Sequence, residues 1–111
     1  MKLKTTIVGE LAQHKLVQVE GKKPFLDLHV DVVLKSAAGK EYTQWVRVKV
    51  WHPLVEKIEP LLSKGCTVEV TGRPEVKPFS RRDGSAGAEL IVHADTIRVV
   101  DDEETPEDDS E

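Results

Sequence analysis

The chain has 111 residues, 16 of them basic and 20 acidic, for a net charge of −4. Eight of the acids and no base fall within residues 101–111, so residues 1–100 carry 16 basic against 12 acidic groups and form a mildly basic body with an acidic tail. That length suits one packed domain. No apolar run approaches the roughly 18–20 residues of a membrane span, Met1-Lys2-Leu3-Lys4 has no apolar stretch of signal-peptide length, and the single cysteine, Cys66, excludes an internal disulfide and fits a reducing, cytoplasmic setting.

Leu3, Thr5, Ile7, Gly9 and Leu11 alternate with Lys2, Lys4, Thr6, Val8 and Glu10, which is the period-two signature of a strand with one buried face. Gly9 inside it predicts a bulge or sharp bend. A breaker cluster, Glu20 to Pro24, predicts a loop. Leu26, Leu28, Val30, Val32 and Leu34 alternate again and predict a second strand, and Ser36-Ala37-Ala38-Gly39-Lys40 reads as a hairpin connection. Val46, Val48 and Val50 predict a third. His52-Pro53 ends it, and Leu54, Val55, Ile58, Leu61 and Leu62 then form one apolar helical stripe. Pro60 should shorten or kink this helix, and Gly65 is placed to cap it. Val68 and Val70 mark a fourth strand ending at Gly72-Arg73-Pro74. Residues 75–88 read as a long polar loop. Leu90, Val92 and Ala94 open a fifth strand whose phase slips at Asp95-Thr96, as a bulge would make it, before Ile97 and Val99 turn inward. Three strands, a helix and two strands is the order of the OB-fold, an all-β, five-stranded Greek-key barrel with one short helix between strands three and four. The domain is expected to span residues 1–100. Residues 101–111 lack apolar side chains and are expected to form a disordered tail.

Two groups of residues bear on function. The outward face of the third strand reads Trp45, Arg47, Lys49, Trp51. Large aromatic groups facing water usually mark a contact surface, and aromatics interleaved with cations suit stacking on unpaired bases beside phosphates. The segment Lys77-Pro78-Phe79-Ser80-Arg81-Arg82 repeats that combination in the loop that borders the binding face of an OB-fold. Catalysis and metals find little support. His14, His29, His52 and His93 fall on separate elements without metal-ligand spacing, and Cys66 reads as a small core residue. No phosphate-binding glycine loop is present in the sequence. No catalytic residue, metal or cofactor is assigned.

These residues also carry a family resemblance. Ile7-Val8-Gly9-Glu10-Leu11 resembles the Val-Gly-Asn-Leu opening of the bacterial single-stranded DNA-binding proteins. Thr43-Gln44-Trp45-Val46-Arg47-Val48-Lys49-Val50-Trp51 resembles their Thr-Glu-Trp-His-Arg-Val-Val-x-Phe strand, and Leu61 to Arg73 resembles their Leu-x-Lys-Gly-x-x-Val-x-Val-x-Gly-x-Leu segment. The resemblance implies Trp45, Trp51 and Phe79 as base-stacking residues. With Arg47, Lys49, Arg73, Lys77, Arg81 and Arg82 on the DNA backbone, it implies binding of single-stranded DNA without strong sequence preference, in replication, recombination or repair. It further implies a homo-oligomer (dimer or tetramer), a nucleoid-associated cytoplasmic location, and possible contact with replication or recombination proteins. Three features depart from the family. Residues 36–40 lack an aromatic that some members carry, Asp27 and Asp31 lie on the outward face of strand two, and the tail ends Asp108-Asp109-Ser110-Glu111 without the family's Pro-Phe tip. The last strand, Ile91 to Ile97, also resembles the primosomal PriB-type branch. The alternative function is therefore an adaptor that acts mainly through protein contacts in replication restart. An OB domain for structured RNA is a third reading.

Overall fold

The alternation of Leu26, Leu28, Val30 and Val32 becomes a strand with these four side chains buried in the computed structural model, which describes residues 3–100. The acidic segment 101–111, expected to be disordered, lies outside the described residues. The elements in chain order are β1 (Thr5–Val17), β2 (Phe25–Lys35), β3 (Glu41–Val50), α1 (Leu54–Ile58) continued by a 3₁₀ turn (Glu59–Leu61), β4 (Thr67–Ser80) and β5 (Ala86–Val100). The strands close into a barrel in the order β1-β2-β3-β5-β4. Every pairing is antiparallel except β3 with β5, which run parallel over Arg47–Lys49 beside Ile91–His93. This is the expected OB-fold topology.

Inside the barrel, Leu11, Leu26, Leu28, Val30, Val46, Val48, Val50, Val68, Val70 and Val92 form one core, which Val55, Ile58 and Leu62 from the helical segment close at one end. Truncating a leucine in such a core costs about 2–5 kcal/mol. The helix is short for the reason its sequence gives. Pro60 lacks an N–H to continue the α-helical ladder, so α1 stops at Ile58 and Pro60 sits in the 3₁₀ turn.

Several expectations are corrected. The loop expected over residues 75–88 is a two-stranded ribbon, with β4 running to Ser80, β5 starting at Ala86, and a turn between Arg81 and Ser85. Both faces of the ribbon are wet beyond the barrel, so no apolar alternation marks it. Pro74 and Pro78 are tolerated because β1 pairing stops at Gly72 and β4 is an edge strand beyond that point. Leu61 leaves the helical stripe and is 61% exposed, because the 3₁₀ turn rotates it away from the core. Leu3 and Leu34 are exposed as well, at strand ends that overshoot the barrel. Gly65 caps no helix. At φ +92° it forms the turn into β4, its N–H bonded to the Leu11 carbonyl at 2.8 Å. The bulge expected at Gly9 falls at Ala12 instead, where the β1–β2 register slips. The bulge at Asp95 is found as expected, since Thr71 pairs with Thr96 and Gly72 with Ala94.

Gly72 sits at that bulge. A Cβ there would collide with the His93 carbonyl and lie 2.9 Å from the Ala94 Cα, all of it backbone that cannot swing aside. Alanine at an unconstrained glycine in a strand stabilises, by about 0.5–1 kcal/mol. Gly72→Ala should invert that sign and cost about 1–3 kcal/mol, read as a lower urea midpoint at unchanged m-value.

Candidate nucleic-acid interface

The pleat of β3 sends Val46, Val48 and Val50 inward and the odd-numbered residues outward. Trp45 is 70% exposed and Trp51, just past the end of β3, is 42% exposed. Arg47 and Lys49 lie half-buried between them. β2 flanks this row on one side, with Asp31 opposite Trp45, His29 opposite Arg47 and Asp27 opposite Lys49. On the other side β5 sets Ile91 beside Arg47 and His93 beside Lys49. β4 extends the same outward face, with Arg73 opposite His93, Lys77 opposite Glu89 and Phe79 opposite Gly87.

The β4–β5 ribbon brings Phe79 to Trp45. Both rings line one cleft of about 270 Å³, together with His29, Val46 and Ala88, and with Arg47 and Glu89 among its polar groups. Phe79 is 47% exposed. Its ring lies across Gly87, where a Cβ would come within 2.7 Å of the Phe79 Cζ and 2.8 Å of the Arg81 Cζ. Glycine opposite an aromatic ring is what lets the ring lie flat on the ribbon. The Arg81 guanidinium sits 5.5 Å from the Phe79 ring centre and donates to the Ala86 carbonyl, a geometry in which cation and ring attract. Asp83 shapes the tip. It accepts from the Ser85 N–H at 2.9 Å and from the Ser85 hydroxyl at 2.7 Å, and these bonds hold its carboxyl below the usual range.

Trp51 forms a second aromatic site. The Phe25 ring packs on it at 4.5 Å between centres, tilted by 30°. Lys49 Nζ stands 5.6 Å from the same Phe25 ring. His93 approaches from β5 with its ring within 13° of parallel, and the indole Nε1–H donates to His93 Nδ1 at 3.4 Å. His93 Nε2 in turn contacts Glu75 Oε1 at 2.6 Å. The His93 hydrogen bond holds the Glu75 carboxyl below its ordinary value against the opposing effect of desolvation, with Arg73 and Lys49 nearby adding to the lowering.

The structure changes the electrostatic reading of Arg47. Its Nε lies 3.1 Å from Asp27 and its Nη1 3.2 Å from Glu89, so two carboxylates claim the guanidinium. The reason is topological. β3 is the central strand of this face, and β2 and β5 each present an acid to its middle residue. The Asp27 contact is ionic rather than a well-directed hydrogen bond. Arg73, Lys77, Arg81 and Arg82, by contrast, are exposed along the ribbon. Thus the structure gathers Trp45, Phe79 and Arg47 on one cleft beside the ribbon, and places Lys49 with Trp51 in a separate cluster on the same face. Sequence reasoning missed Phe25, His29, His93, Glu75 and Glu89. The first two share the outward phase of Asp27 and Asp31 and were legible from it; the other three depend on the pairing of β5 with β3 and β4.

The profile of the Single-strand binding protein family matches residues 3–100. The chain belongs to that family. Among curated members, it is 36% identical over 75 residues to a single-stranded DNA-binding protein of Chlamydia muridarum, covering 67% of this chain and 48% of that protein. It is also 36% identical over 66 residues to the single-stranded DNA-binding protein of Chlamydia trachomatis, covering 59% and 42%. The chain spans about half the length of the curated relatives it matches. Solved structures of the same fold include the small single-stranded DNA-binding protein of Streptomyces coelicolor, with a TM-score of 0.74 at 18% identity over 88% of this chain and 94% of that one. Another is the Plasmodium falciparum family member in complex with single-stranded DNA, with a TM-score of 0.69 at 18% identity and the same coverage. In this family member the candidate face is the outward surface of β2, β3, β5 and the ribbon.

Because the Glu75 carboxyl is held below its ordinary value of 4.5, it stabilises the folded chain fully above that pH and loses the contribution as pH falls through its lowered native value. Glu75→Gln should therefore be less stable than the parent near about pH 7, and the gap should close in acid as pH falls from 4.5 through the lowered native value. Urea midpoints measured across that range check it.

Proposed function

We propose that this chain binds single-stranded DNA with little sequence preference, as a stoichiometric binder rather than a catalyst. One observation carries the reading: Trp45 and Phe79, from strands far apart in sequence, converge as exposed rings on one cleft. A pair of open aromatic faces offers stacking to any base, because every base has a π-face. Exposed cations on the adjoining ribbon, Arg73, Lys77, Arg81 and Arg82, suit the phosphates between bases. The Chlamydia relatives and the P. falciparum complex support single-stranded DNA as the ligand. Service in replication, recombination or repair, a cytoplasmic nucleoid-associated location, and assembly into dimers or tetramers belong to the same proposal. With a few stacks and few phosphate contacts per protomer, affinity near micromolar is expected, about −8.2 kcal/mol, and assembly would raise it by avidity.

A second reading, a PriB-type adaptor working mainly through protein contacts, draws support from the acids on this face. Asp27 and Glu89 occupy Arg47, and Glu75 stands beside Arg73 and Lys49. Salt separates the two. Each phosphate neutralised on a single strand contributes about −0.7 to the slope of log K against log salt. Trp45→Ala and Phe79→Ala should each weaken oligo-dT binding by about 1–3 kcal/mol with the fold intact. Replacing Arg81 and Arg82 together should lower the slope by up to about 1.4, whereas Arg47→Ala should change it little. Binding that ignores both aromatic variants would overturn the proposal, and partner capture without DNA would favour the adaptor.

A further inference from the structure

Trp51 lies one residue beyond the last residue of β3, so the ladder does not fix where its ring points. Two neighbours do, with Glu75 behind the second. Phe25 packs on the ring at 4.5 Å. His93 meets its edge: the centres are 6.5 Å apart, the planes differ by only 13°, and Nε1 stands 3.4 Å from His93 Nδ1. That combination fits rings lying side by side, joined by the hydrogen bond, and not one above the other. Such an edge contact leaves a face of the indole uncovered, in keeping with its exposure of 42%. Glu75 completes the chain. Its Oε1 at 2.6 Å from Nε2 draws the imidazole N–H to that nitrogen and leaves Nδ1 as the acceptor that the indole N–H requires. Lys49 and Arg73, the other charged neighbours, flank His93 from β3 and β4 and can only donate.

We propose that Glu75 and His93 are positioning residues for Trp51, holding its indole as an open, pre-oriented platform for a nucleobase. The inference rests on the proposed function and deepens it. Neither residue need touch DNA. They remove the rotamer freedom that Trp51 would otherwise lose on binding, and a group fixed in advance binds at lower entropic cost. An aromatic ring so close to the surface with its N–H unpaired would instead reorient toward water.

The test is a double-mutant cycle on the full chain, with oligo-dT binding followed by anisotropy of a dye-labelled oligonucleotide. His93→Ala should weaken binding about two- to tenfold, the range that the net 0.5–1.5 kcal/mol of one hydrogen bond converts to. In a Trp51→Ala background the same change should have almost no effect, because a positioning residue has nothing left to position. His93→Asn, whose side-chain oxygen can replace Nδ1 as acceptor, should restore most of the loss. Thermal melts confirm that each variant folds, and His93→Asn keeps the question answerable if the alanine variant does not. Additive losses from His93 and Trp51 would make His93 a direct ligand and overturn the positioning role. So would an unchanged affinity in His93→Ala, or asparagine no better than alanine. If the parent chain fails to bind oligo-dT at all, the proposed function falls first and this inference with it.

Discussion

The short parallel pairing of β3 with β5 is the constraint on which the rest of the surface depends. It spans only Arg47–Lys49 beside Ile91–His93, yet it closes the barrel. Closure makes β3 a central strand with β2 on one side and β5 on the other. Arg47 and Lys49, the outward residues of that stretch, thereby acquire a neighbour on each side, and the character of the face around them follows from who they are. His29, Asp27 and Phe25 come from β2. Glu89 and His93 come from β5. The β4–β5 ribbon, anchored by the same closure, then folds Phe79 toward Trp45.

Two physical effects divide this face. Around Arg47 the design is electrostatic: the guanidinium is matched by charge, while its Nε and Asp27 Oδ1 make no well-directed hydrogen bond. Asp27 and Glu89 hold a half-buried guanidinium that would otherwise cost desolvation energy without a partner. This takes one cation out of play for an anionic ligand and shifts the available positive charge to the ribbon. Around Trp45, Trp51 and Phe79 the design is apolar and open. Arg81 flanks the Phe79 ring where it lies over Gly87, Phe25 and His93 brace Trp51, His29 stands 6.2 Å from Trp45 between ring centres, and all three rings leave area to the solvent.

Much of the barrel was legible because burial imposes period two on residues that meet the core. Leu26 to Val32 and Val46 to Val50 show that pattern clearly, and the slip at Asp95 was visible as a change of phase. Where an element leaves the core the signal vanishes. The ribbon of residues 75–88 looked like a loop, and Leu61 looked buried only because its spacing matched an ideal helix that Pro60 then broke. Among candidate site residues, the outward pair Trp45 and Trp51 followed directly from the strand phase. The capture of Arg47 did not, since it takes one acid from each neighbouring strand and Glu89 becomes a neighbour only on closure. The Glu75–His93–Trp51 chain has the same origin: its members come from β4, β5 and the residue just past β3, and no local pattern links them.

The central claim is that single-stranded DNA occupies the outward face of β2, β3, β5 and the ribbon by stacking on its aromatic rings. The most direct measurement is a ¹⁵N-edited NMR titration with oligo-dT, which reads the two indole N–H signals of the chain separately from its backbone. The account predicts that both indole signals move at saturation, together with backbone amides of residues 45–51, 73–82 and 86–93, while α1 and the β1–β4 seam stay in place. Unmoved indole signals beside shifts confined to α1 or β1 would contradict it.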